Sequence, residues 1–75
     1  MKMTWDKAKK TWILETEMPI SQSRFLKVWE YTLRDQKRQI ENMKSGPERE
    51  VYLDAFQHLK HMQITHSIKP QGGAN

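Results

Sequence analysis

The 75-residue chain contains no cysteine, so no disulfide can staple it and no thiolate-based zinc site can form. That absence fits a reducing compartment, and the expectation is a cytoplasmic protein. Long apolar runs are lacking as well. The longest stretch of bulky apolar residues is Trp12-Ile13-Leu14, far short of the roughly 20 residues of a membrane span, and no signal-peptide pattern opens the chain. Glycine and proline are scarce, at three residues each, so the few present act as punctuation. Missing too is any catalytic constellation. Histidines, serines and nine carboxylates are present, but none are paired at a spacing that means acid–base or nucleophilic chemistry. We expect no enzyme, no cofactor and no small-molecule substrate.

What is present is charge and helical periodicity. Lysine and arginine outnumber aspartate and glutamate by 13 to 9. The excess sits in residues 1–44, with ten cations against six anions, whereas residues 45–75 balance at three against three. A basic excess favours polyanions or acidic protein surfaces as partners. At this length a self-sufficient core is close to its lower limit, so a partner or a second copy is a natural complement.

Residues 26–43, LKVWEYTLRDQKRQIENM, carry a seam: Leu26, Trp29, Leu33, Gln36, Ile40 and Met43 recur at steps of three and four. That is the pattern of a helix burying one stripe against another helix. Ser21 is the expected N-cap, with Ile20 and Phe25 at the spacing of a hydrophobic staple. Ser45-Gly46-Pro47 ends this helix and starts the next, whose first turn holds Glu48 and Glu50, where the helix dipole favours negative charge. On the second helix Val51, Tyr52, Ala55, Phe56, Leu59 and Met62 share one broad face. The short connection makes the two helices antiparallel neighbours.

The N-terminal segment MKMTWDKAKKTWILETEM reads as a β-hairpin with a Lys7–Lys10 loop, Trp5 opposite Trp12 and Met3 opposite Leu14. A helix placing Trp5, Ala8 and Trp12 on one face is the competing reading, because the loop lacks the glycine or asparagine of a tight turn. The expected fold is therefore α+β: a two-stranded β-hairpin over 1–18 packed on an antiparallel helical hairpin of 21–44 and 47–66, in the order β-β-α-α. It forms one small domain over 1–69, with a disordered tail at 70–75 and dimerisation as a way to complete the core.

Several surfaces invite function, each with a plainer reading beside it. Lys27, Tyr31, Arg34 and Arg38 line the outer face of the first helix, where they could track phosphates and stack on a base, or simply be a solvated face. Lys7, Lys9 and Lys10 at the hairpin tip could meet an acidic partner, or only keep the edge soluble. Leu53, Ile64 and Ile68 fall behind the main face of the second helix, either under the hairpin or in an isologous dimer interface. Gln36, the one polar seam residue, either fixes register or sits where the seam meets water. Asp54, His58 and His61 have the spacing of metal ligands on one helix, though three ligands without a second shell make a weak site. Taken together, the chain reads as a non-catalytic interaction module binding another protein, with the tryptophans as anchors. Alternatives are a basic nucleic-acid-binding accessory protein, or a small mobile-element-type regulator or inhibitor of a host nucleic-acid machine.

Overall fold

The computed structural model describes residues 1–69. Five elements follow in order: β1 (Lys2–Asp6), β2 (Thr11–Thr16), α1 (Gln22–Glu41), α2 (Pro47–Lys60) and β3 (Ile64–Ile68). The α+β arrangement expected from the sequence is present, with the N-terminal hairpin packed on the helical hairpin. A third strand joins it. The sheet order is β1-β2-β3, with β2 antiparallel to β1 and parallel to β3.

The hairpin has the expected register, Met3 opposite Leu14 and Trp5 opposite Trp12. Its loop works without glycine because the Asp6 carboxylate accepts hydrogen bonds from the backbone N–H groups of Ala8 (3.0 Å) and Lys9 (3.2 Å). This is an Asx-type turn. Lys10 then closes the loop in the left-handed region, at φ 51°. Along β2 burial alternates strictly: Trp12, Leu14 and Thr16 are buried, and Thr11, Ile13 and Glu15 are not. The buried set faces the helices, as period two requires for a sheet covered on one side.

Ser21 caps α1 as expected, its hydroxyl accepting from Arg24 N–H at 3.3 Å. The five seam residues within α1, and Met43 just beyond its end, are buried or half-buried, and α2 lies across from the helix. The core closes where β2 meets both helices. Trp12, Ala55 and Leu59 are buried there, and Met3, Trp5, Trp29, Leu33 and Ile64 pack around them. Two indoles tie the layers together: Trp12 donates Nε1–H to the Ala55 carbonyl and Trp29 to the Leu59 carbonyl, both at 2.8 Å. These bonds fix β2 and α1 to successive turns of one face of α2.

Two boundaries differ from expectation. The first helix ends at Glu41 rather than at residue 44, and Gly46 serves as the N-cap position of α2 instead of capping α1. The second helix ends at Lys60 rather than at residue 66. Its end is a full Schellman motif: Met62 N–H bonds the Leu59 carbonyl (2.9 Å), Gln63 N–H bonds the His58 carbonyl (3.0 Å), and Met62 is left-handed at φ 55°. The chain then turns into β3, which docks on β2 through Trp12 N–H to Gln63 O (3.0 Å) and Lys69 N–H to Thr16 O (2.8 Å). The two ends of the predicted apolar face of the second helix, Val51 and Met62, are exposed. The expected tail over 70–75 lies outside the described residues.

Candidate functional site

The basic row on α1 is fully outward: Lys27, Tyr31, Arg34 and Arg38 are all exposed, Tyr31 at 71%. Among the described residues none of its three cations is ion-paired. The hairpin tip is less free than its sequence suggests. Lys7 and Lys9 are exposed, but Lys10 Nζ lies 3.7 Å from the Asp54 carboxylate, a surface pair of small energetic weight.

The three residues at metal-ligand spacing have other neighbours as well. Asp54 is turned toward Lys10 and His58, the His58 ring packs on Trp5 with centroids 5.2 Å apart, and His61 is the C-cap of α2. Among the described residues no group of three or more potential ligands is placed to hold a metal ion. The proposed apolar back of the second helix is also dispersed. Leu53 is half-buried on α2, while Ile64 and Ile68 belong to β3 because the helix stops before them. Ile64 packs against the core cluster, and Ile68 is left exposed at the strand end. The three therefore do not share one face of a helix. The cause is the left-handed turn at Met62, a residue that gives no stop signal in sequence.

A different site emerges at the opposite edge of the sheet. Trp12 N–H donates to Gln63 across on β3, and successive residues of a strand aim their backbone groups at opposite edges. Trp12, Leu14 and Thr16 therefore serve β3, and Thr11, Ile13 and Glu15 serve β1, bonding to Asp6, Thr4 and Lys2 in the observed register. It follows that the N–H and C=O groups of Met3 and Trp5 point away from β2. β1 is an edge strand, and among the described residues no hydrogen bond reaches those groups.

Directly beneath this edge lies an open groove of about 730 Å³, its apolar lining made by Met3, Trp5, Trp12, Val51, Tyr52 and Ala55. Lys2, Lys7, Gln36 and Glu48 form its polar rim. Gln36 is thus the seam residue that opens onto the groove. Trp5 stands between Trp12 (centroids 5.7 Å apart) and His58. Unlike the other two indoles, its Nε1–H has no hydrogen-bond partner among the described residues. An unpaired strand edge beside an apolar trough is the geometry that accepts an added strand, the backbone supplying affinity and the trough selecting side chains. The Trp5–Trp12 pairing beside the groove is expected from the sequence. Residue pattern sets the β1–β2 pairing but not which alternate residues exchange hydrogen bonds, so the outward groups of Met3 and Trp5 follow only from the observed bonds.

Among the described residues no helix is long and apolar enough to cross a membrane. Compared with protein-family models, curated proteins and solved structures, the chain matches none.

Proposed function

We propose that this chain is a small non-catalytic interaction module that binds another protein chain by adding an extended segment to the β1 edge, with that segment's apolar side chains in the groove beneath. The observation that carries this reading is the coincidence of two unsatisfied features at one place: the outward backbone groups of Met3 and Trp5, and the open apolar groove that continues below them. An uncovered strand edge is a liability that proteins usually blunt. Here it is retained next to an aromatic anchor, which is how binding hot spots are built.

The test is photo-crosslinking in native extract from a photoreactive residue at Glu48, an exposed groove-lining position. The expected result is a protein adduct that survives nuclease and the pair Arg34→Glu with Arg38→Glu, and that Val51→Glu removes. An adduct lost to nuclease or to the arginine reversals, yet indifferent to Val51→Glu, overturns the reading. The outward row Lys27, Tyr31, Arg34 and Arg38, without an ion pair among the described residues, supports a second reading, nucleic-acid binding through α1. It predicts a salt-sensitive mobility shift that the arginine reversals abolish.

A further inference from the structure

We infer that the chain which occupies the β1 edge is a second copy of this one, paired antiparallel about a twofold axis at Thr4, so that the two three-stranded sheets become one. This rests on the reading of the β1 edge as the interaction site, and it names the partner.

The argument is the self-complementarity of β1, KMTWD. Centred on Thr4, antiparallel pairing sets Lys2 opposite Asp6 of the second copy, Met3 opposite its Trp5, and Thr4 opposite its Thr4. Each match then recurs by symmetry, as an isologous contact requires. The backbone agrees with this register. The groups left free are those of Met3 and Trp5, and these are the residues that become hydrogen-bonded pairs, each pair exchanging both N–H···O=C bonds. Thr4 and the Lys2–Asp6 pairs fall at the closely spaced, non-hydrogen-bonded positions, where side chains interact most and opposite charges are favourable. All three residues lie on the face of the sheet away from the helices, and Lys2 and Thr4 are exposed. Asp6 uses Oδ1 for the turn, which leaves Oδ2 for the lysine.

On the other face, Met3 and Trp5 point toward the helical layer and line the groove. Pairing therefore lays each methionine beside the other copy's tryptophan, a favourable sulfur–aromatic contact, and brings the two grooves together across the axis. Shifting the register by two residues in either direction would place Lys2 opposite Thr4 or Asp6 opposite Thr4, and the charge match would be lost. The other edge, β3, offers no comparable match. Antiparallel self-pairing of ITHSI opposes His66 with itself, and that ring is already engaged by Thr16 Oγ1 at 2.8 Å and by Phe25.

The absence of native cysteine makes the test specific. In the proposed register, Thr4→Cys puts two thiols at directly opposed positions, within disulfide reach. Lys2→Cys separates them by about four residues of strand, roughly 13 Å. The experiment is sedimentation of the full chain over a concentration series, with cross-linking of each variant by oxidised glutathione. We expect a mass rising from the 9.0 kDa of one chain toward twice that value, a disulfide dimer from Thr4→Cys, and none from Lys2→Cys or from His66→Cys. Lys2→Glu should weaken dimerisation about tenfold, because it turns both attractive pairs repulsive. A wild-type chain that stays monomeric throughout, or a dimer that cross-links through position 66 and not through position 4, overturns the inference. If the chain is monomeric while the Glu48 photoadduct with a different protein still depends on Val51, the site stands and only its partner has been misidentified.

Discussion

Leu59→Ala is the perturbation that most clearly separates core from groove. Leu59 is completely buried, at 0% exposure, at the junction of β2 with both helices. Truncation removes about three methylene equivalents at roughly 0.8 kcal/mol each, or about 2.4 kcal/mol of transfer free energy. The cavity left behind adds to this, so a loss of about 3 kcal/mol is expected, within the range measured for buried leucines. A chain this short has a total stability of roughly 4–11 kcal/mol, so the variant keeps only part of it. With a urea slope of about 1 kcal/mol/M, the midpoint should fall by about 3 M. Val51→Ala is the control: it lines the groove but is 40% exposed, and it should move the midpoint by less than about 1 M. Urea unfolding followed by tryptophan fluorescence reads both. Equal midpoint shifts for the two variants would refute the placement of the core at the β2–α2 junction.

Four further outcomes follow from single contacts. Met62→Gly should stabilise the protein by about 0.5–1 kcal/mol in the same assay, since the gain from relieving a left-handed non-glycine residue exceeds the entropic cost of glycine. Asp6→Ala should cost about 1 kcal/mol by uncapping the hairpin turn, whereas Asp6→Asn, which keeps an acceptor, should cost less than half of that. Hydrogen exchange should find the indole N–H protons of Trp12 and Trp29 protected, and that of Trp5 exchanging freely, in the isolated chain at low concentration. His66→Ala should lose about 1 kcal/mol through the Thr16 hydroxyl, which donates to the Met18 carbonyl and so accepts from His66 Nε2.

The elements that could be read from the sequence are those whose signals are local. The seam from Leu26 to Met43, the Ser21 cap and the Trp5–Trp12 register all follow from periodicity or capping chemistry. The hairpin tip could be placed, but its turn chemistry could not be judged, because the stabilising group is the Asp6 side chain just before the loop rather than a glycine within it. The end of α2 was illegible for a related reason. Its Schellman turn uses methionine where glycine is usual, so helical periodicity runs on unbroken through Met62. The signal for β3 was the β-branched pair Ile64-Thr65 and the alternation of Ile64, His66 and Ile68, competing with a helix already under way. That one missed strand accounts for Ile64 and Ile68 lying on the sheet rather than on the second helix. The Trp12–Gln63 bond to β3 reveals the parity of β2, and with it that the backbone of Met3 and Trp5 faces outward.

Amide hydrogen exchange along β1, compared between dilute and concentrated protein, addresses the interaction edge most directly. Thr4 N–H, bonded to β2, should be protected in both conditions. Met3 and Trp5 N–H should exchange rapidly when dilute and become protected when the edge is occupied, giving a period-two alternation that disappears on association. Protection of Met3 and Trp5 that is already complete in the dilute chain, or association that protects α1 and leaves β1 unchanged, would contradict the assignment of that edge as the binding site.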